Sequence, residues 1–146
     1  VEEPIPGSSF NIGDLKLDIF APNAKYKKIN DYSVVMKATY KNKKFLLAGD
    51  AEKISENDMI KKKYDISADV LKVGHHGSTT STTKEFFNNV NPKYSVISVN
   101  EDKFNLPDQE VIDTLKSNNR KLYRTDLNGT VIFLTNGDKI DVKTEK

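Results

Sequence analysis

Two segments of the 146-residue chain carry side chains able to do chemistry: LKVGHHGSTTS, from Leu71 to Ser81, and FLLAGD, ending at Asp50. Each is an apolar run that reads as a buried strand and stops on groups that can hold a metal ion or a phosphate. The chain has only two histidines, His75 and His76, and they stand side by side. Imidazoles titrate near neutrality and ligate transition metals. A carboxylate such as Asp50 suits hard and borderline divalent cations. Gly49 lets the backbone turn sharply before Asp50, and Gly77 allows close approach beside the histidines. The Ser and Thr hydroxyls and the N–H groups that follow suit an anionic oxygen. In α/β proteins such groups collect just past the carboxyl ends of strands. The inventory is short, because a catalytic zinc takes three protein ligands plus water and a two-metal site takes more. A structural reading stands beside the chemical one: Gly-Asp after a strand is a common turn, and a tandem-histidine turn can serve packing. Residue chemistry alone leaves both open.

The elements that must position these groups follow from periodicity. LKLDIFAP alternates Leu15, Leu17 and Ile19 with polar residues, as a half-buried strand does. It follows an extended opening with Pro4, Pro6 and Gly7, and precedes a polar, Lys-rich loop from Asn23 to Asn30. YSVVMKATY and KKFLLAG read as strands joined by a turn at Lys41-Asn42. A helix is expected over Glu52 to Lys63, with Ile54, Met59 and Ile60 on one face. Strand Asp69 to Val73 leads to the histidines. A helix then follows with Thr82 and Glu85 at capping-box spacing and Phe86, Phe87 and Val90 apolar. Strand Tyr94 to Val99, a helix near Pro107 to Ser117 carrying Val111, Ile112 and Leu115, and strand Lys121 to Arg124 continue the alternation. A hairpin turning at Asn136-Gly137 between TVIFLT and KIDV completes the chain. This order predicts an α/β fold, a mixed β-sheet with flanking helices and antiparallel edge strands.

Composition sets outer bounds. A length of 146 residues with 36% hydrophobic and 30% charged residues fits one globular domain or a large piece of one. The absence of Cys excludes disulfides, zinc-thiolate sites and a thiol nucleophile. No run reaches the roughly 18 apolar residues of a membrane span, and VEEPIPGSS lacks the features of a signal peptide. The net charge of +2 is a near-cancellation of 23 basic and 21 acidic residues. Lys25, Lys27 and Lys28, Lys41, Lys43 and Lys44, and Lys61, Lys62 and Lys63 form clusters that read either as a solvated surface or as a face for polyanions.

NDYSVVMKATYKNKKFLLAGDAE, ADVLKVGHHGSTTST, NPKYSVISVN and YRTDLNGTV resemble, in order and spacing, the later half of the ComEC-type metallo-β-lactamase-like hydrolase domain of competence-associated DNA-uptake proteins. The resemblance spans roughly residues 10 to 142. It implies the second half of an αββα sandwich, so that residues 1–146 form a single partial domain. It also implies a metal-dependent hydrolase, phosphodiesterase- or nuclease-like when complete, with two divalent ions, Zn or Mn. By the same resemblance Asp50 is the carboxylate that bridges the ions and His76 is the last imidazole ligand. His75 contacts substrate phosphate or assists proton transfer, and Ser78 and Thr79 line the pocket. The family's first ligand cluster, His-x-His-x-Asp-His, has no match in this chain. Where the family tends to place a histidine before a proline, the chain reads Asn105-Leu106-Pro107.

Three expectations follow from that partial match. This polypeptide alone is inactive. Its partner is the missing amino-terminal half or a second copy, with DNA or another phosphodiester polymer as the substrate class. Kinship favours an extracytoplasmic location. A rival reading is a non-catalytic module that binds DNA or a cell-surface polymer through its lysines, and a third is an inert relative whose motif survives for packing.

Overall fold

The computed structural model describes residues 3–100, 105–117 and 120–146. Strands β1 (Ser9–Ile12), β2 (Leu15–Ala21), β3 (Val35–Tyr40) and β4 (Lys43–Leu47) form an antiparallel meander. The chain then alternates through α1 (Lys53–Lys61), β5 (Val70–Lys72), α2 (Lys84–Val90), β6 (Tyr94–Ile97), α3 (Gln109–Leu115) and β7 (Lys121–Arg124), with neighbouring strands from β4 to β7 parallel. The seven strands lie in sequence order in one mixed sheet. Because β4, β5 and β6 run the same way, their carboxyl ends share one edge. That is where Asp50, the histidine pair and the residues after β6 emerge. A single-turn helix, α4 (Thr125–Asn128), leads to a ribbon of β8 (Val131–Thr135) and β9 (Ile140–Thr144).

The α/β class and mixed sheet are as the sequence predicts, with local departures, one of them Ile54, expected on the apolar face of α1 with Met59 but 56% exposed while Met59 is buried. Strand β1 lies in the stretch read as an extended opening, whose first residues, Val1 and Glu2, are outside the described residues. All four β1 residues are exposed, so SFNI shows no buried alternation. The strand expected from Tyr32 begins at Val35, because Ile29–Tyr32 closes a short 3-10 turn. The last hairpin forms its own sheet and does not edge the main one. Its Phe133 packs edge-on against Tyr94 and Tyr123, with ring centroids 6.0 and 5.9 Å apart, so the ribbon lies over the main sheet. Finally, the cap of α2 is Thr83, whose hydroxyl accepts the Phe86 N–H, while Thr82 Oγ1 accepts the Gly74 N–H at 3.1 Å. The Thr82–Glu85 capping box is therefore not formed.

One face of the sheet meets the helices in a single core. Leu46, Leu71, Val73 and Ile97 of the sheet pack with Met59 of α1, Phe86, Phe87 and Val90 of α2, and Val111 and Leu115 of α3. Full burial of each large side chain contributes about 1.5–3 kcal/mol. The strand registers bring Ile19, Met36, Leu47, Lys72, Val96 and Tyr123 onto the opposite face. There the β8–β9 ribbon packs on Tyr94 and Tyr123 and its turn reaches the β3–β4 turn, where the Asn42 N–H donates to the Gly137 carbonyl at 3.3 Å. Toward β1, Phe10 is 49%, Ile12 62% and Leu47 40% exposed.

Candidate functional site

The histidine loop begins where β5 ends, and its backbone is unusual. His75 and His76 have φ, ψ of 45°, 47° and 54°, 21°, two consecutive non-glycine residues in the left-handed region. Each such residue costs about 1–3 kcal/mol and persists only where its surroundings over-determine it. The surroundings here are dense. The His75 N–H donates to the Gly49 carbonyl at 3.1 Å, and the Ser78 N–H donates back to the His75 carbonyl at 3.0 Å. The Thr82 and Thr83 N–H groups both donate to the Glu56 carboxylate of α1. From the other side, the Asp108 N–H donates to the Gly77 carbonyl at 3.0 Å, and Asp108 Oδ2 accepts the Thr79 N–H at 2.7 Å. Gly77, at φ +85°, lies so close to Pro107 that a Cβ there would sit 2.5 Å from the proline Cβ.

Asp50 reaches the same edge through Gly49, whose φ of 57° turns the chain sharply after β4. The Asp50 N–H donates to Ser33 Oγ at 3.1 Å, which leaves the carboxylate pointing outward. Asp50 Oδ1 and His76 Nε2 come within 3.7 Å of each other, with side chains 43% and 48% exposed. Their convergence is the central geometric fact of the site. A cleft of about 460 Å³ opens over them, lined by Asp50, His75, His76, Ser98, Val99, Asn100 and Leu106. Ser78 and Thr79 stand outside that lining set. Ser78 Oγ lies 3.2 Å from Thr80 Oγ1, and the Thr79 backbone is tied to Asp108.

His76 Nδ1 lies 2.7 Å from the carbonyl oxygen of Ser98, which can only accept, so Nδ1 carries the proton. In the neutral ring, Nε2 therefore presents its lone pair toward Asp50. A lone pair and a carboxylate oxygen 3.7 Å apart repel unless a cation or proton lies between them. Two donors sharing one ion at bonds of about 2.1 Å stand no more than about 4.2 Å apart, so this spacing fits a shared ion. The Ser98 carbonyl is the kind of outer partner that fixes a metal-ligating imidazole. Among the described residues no group of three or more His, Cys, Asp or Glu side chains is arranged to hold a metal. The donor set therefore fits part of a metal site.

The electrostatics around this edge come from three groups. Glu52, in the first residues after Asp50, is 6% exposed. Burial alone raises its carboxyl, but hydrogen bonds from Lys28 and Asn30 outweigh it and bring the group below the ordinary carboxylate range. Glu52 Oε1 lies 3.7 Å from His75 Nδ1, which also meets Thr80 Oγ1 at 3.2 Å. Lys72, on the uncovered sheet face, donates to the Val73 carbonyl at 3.0 Å. Burial pulls its ammonium below the ordinary lysine range while the charge of Asp50 opposes that shift. Glu56 is pushed up to about 7 by burial, against the backbone N–H groups that it accepts.

Comparison with curated proteins bears on kinship. The chain is 35% identical over 135 residues to ComE operon protein 3 of Bacillus subtilis, covering 91% of this chain and 17% of that protein. This chain is a relative of the competence proteins. It is also 32% identical over 106 residues to competence protein ComA of Neisseria gonorrhoeae, covering 71% of this chain and 15% of the relative. Recombination protein 2 of Haemophilus influenzae is 28% identical over 139 residues, with 94% and 17% covered. The chain thus spans about a sixth of the length of these curated relatives. No family model matches it.

Asp50, His75 and His76, expected from the sequence at one edge, all stand in the cleft wall. Glu52, Ser98, Asn100 and Lys72 have no part in that expectation. Glu52 stands in GDAE, two residues after Asp50, and that spacing is the signal that could have found it. The contribution of Ser98 is a backbone carbonyl, for which residue type carries no signal.

Proposed function

We propose that this chain contributes one side of a metal-dependent phosphoester hydrolase, phosphodiesterase- or nuclease-like, that serves DNA uptake. The observation that carries the reading is the 3.7 Å approach of Asp50 Oδ1 to His76 Nε2, with His76 Nδ1 held by Ser98. The competence names of the relatives favour DNA as the phosphodiester substrate and a position outside the cytoplasmic membrane. Among the described residues no helix is long and apolar enough to cross a membrane.

Asp50 and His76 would hold the ion, Zn²⁺ or Mn²⁺, and residues beyond this chain would complete its coordination. A divalent ion supplies Lewis acidity toward a phosphoryl oxygen. His75 lines the cleft with its Nδ1 side engaged by Thr80 and Glu52, which leaves Nε2 to meet a phosphate oxygen or hold a proton there. Ser78 and Thr79, outside the cleft lining, would meet an extended substrate only beyond it. The uncovered apolar face is the seat of further chain from the longer polypeptide, consistent with relatives about six times the length matched.

The test is hydrolysis of bis-p-nitrophenyl phosphate with added Mn²⁺, comparing this chain with a version extended upstream. The extended protein should turn over and lose that turnover on His76→Ala. Hydrolysis by the short chain alone would refute the partial-site reading. A second reading, a non-catalytic polyanion-binding module, rests on the exposed Lys25, Lys27, Lys61, Lys62 and Lys63. It predicts salt-dependent DNA binding that His76→Ala leaves unchanged.

A further inference from the structure

A buried carboxylate aimed at a cleft residue needs a reason, because an ionised group taken from water is costly unless it is paired. Glu52 is 6% exposed and is held from two sides. Lys28 Nζ donates to its Oε2, and Asn30 Nδ2 donates to Oε1 at 3.2 Å. Its backbone is fixed too, since the Glu52 N–H donates to Asp31 Oδ1 at 3.2 Å. Held in this way, Oε1 faces His75 Nδ1 at 3.7 Å, while Thr80 Oγ1 lies 3.2 Å from the same nitrogen.

The Thr80 hydroxyl can donate to Nδ1 or accept from it, so it does not decide where the imidazole proton sits. The carboxylate does. A proton on Nδ1 is attracted to Oε1, whereas a lone pair on Nδ1 would face a negative oxygen. With the proton on Nδ1, Thr80 accepts it and turns its own hydroxyl hydrogen toward Ser78 Oγ, 3.2 Å away. We infer that Glu52 is a positioning residue for His75, fixing its proton on Nδ1 so that the Nε2 lone pair faces the cleft. The pair thereby repeats at His75 what Ser98 does at His76: both rings are pinned through Nδ1 and both present Nε2. The catalytic consequence rests on the hydrolase reading above, but the state of the ring does not.

Long-range ¹H–¹⁵N NMR on this chain, at about pH 9 where an ordinary imidazole is neutral, reads which nitrogen carries the proton without metal or substrate. In the native chain both rings should be Nδ1–H. Glu52→Ala should move His75 toward the Nε2–H form that dominates in free histidine while His76 stays Nδ1–H, and that unchanged signal also shows that the fold is intact. Thr80→Val should leave His75 as Nδ1–H. A His75 ring that is Nε2–H in the native chain, or that ignores Glu52→Ala, would overturn the inference, as would loss of Nδ1–H in Thr80→Val. The last variant decides the matter should Glu52→Ala fail to fold. In the upstream-extended protein, Glu52→Ala should lower kcat about 10- to 100-fold with KM little changed. An inactive extended protein would count against the hydrolase reading and leave the ring result standing.

Discussion

Glu56→Gln isolates a buried carboxyl held well above its ordinary value. Glu56 is 1% exposed, and its two oxygens accept the Thr82 and Thr83 N–H groups, tying α1 to the end of the histidine loop. Burial pushes its pKa from 4.5 up to about 7, so in the folded protein the neutral acid is favoured relative to the unfolded chain. A carboxyl raised in this way contributes stability that is fully present below pH 4.5 and lost as pH rises through about 7. At 1.36 kcal/mol per pH unit the difference is about 3 kcal/mol, the two backbone donors having already held the pKa down against burial. The opposing carboxylates act elsewhere on the scale. Asp65, held down by Ser67 and by Lys37 and Lys44, and Asp126, held down by Arg124, lose their contribution only below the ordinary carboxylate range. Native stability should therefore peak near pH 5 and decline toward pH 8. Urea unfolding at half-unit pH steps, for the native chain and Glu56→Gln in parallel, separates this group from all others. The difference between the two curves should change by up to about 3 kcal/mol between pH 4.5 and 7.5. Parallel curves across that window would refute the assignment of a raised, buried carboxyl at position 56.

Gly77→Ala should destabilise the chain by about 2 kcal/mol or more, since it adds the left-handed penalty of about 1–2 kcal/mol to a Cβ 2.5 Å from Pro107 Cβ; a melting temperature equal to that of the native chain would contradict it. Asp31→Ala should cost about 2 kcal/mol in urea unfolding, because Asp31 Oδ1 accepts the Glu52 and Ser55 N–H groups at 3.2 and 3.3 Å and caps α1 from a distant loop. Leu47→Glu, on the uncovered face, should reduce self-association of this chain in size-exclusion chromatography while leaving its circular dichroism unchanged; a native chain that already elutes as a compact monomer would argue against an unsatisfied face. Titration calorimetry should show only weak Zn²⁺ binding to this chain, abolished by His76→Ala or Asp50→Ala, and tight binding by this chain alone would mean that the coordination set is completed within it.

What the sequence made legible is what depends on period and chain order. Apolar runs ending at Asp50 and His75, separated by a helix, oblige parallel strands to deliver both groups to one edge, and the 3.7 Å contact follows from that topology. Strand β1 was hidden because its side chains are all exposed and pairing alone holds it. Thr82 and Thr83 look alike in sequence, and the choice of cap fell to Thr83 because the Thr82 hydroxyl was taken by the Gly74 N–H. Asp31 and Glu52 act across 21 residues, in a contact that no local pattern encodes. Lys72 broke an otherwise apolar strand in plain view, yet only the registers show that it shares the uncovered face with Leu47 and Val96.

The strain at His75 and His76 ties these observations together. Two adjacent left-handed residues would relax if either flank were free, since each holds about 1–3 kcal/mol of unfavourable conformation. Neither flank is free. Gly49, Asp108 and Glu56, from three separate parts of the chain, each accept N–H groups of the loop. The conformation is thus enforced by tertiary contacts, which explains why His75 and His76 hold it without being glycine, while at position 77 Pro107 leaves no room for a Cβ. A turn that existed only for packing would be satisfied by glycine at positions 75 and 76 at far lower cost. Placing histidines there spends stability to aim two imidazoles past the strand end, and one of them meets a carboxylate that neutral nitrogen would otherwise repel.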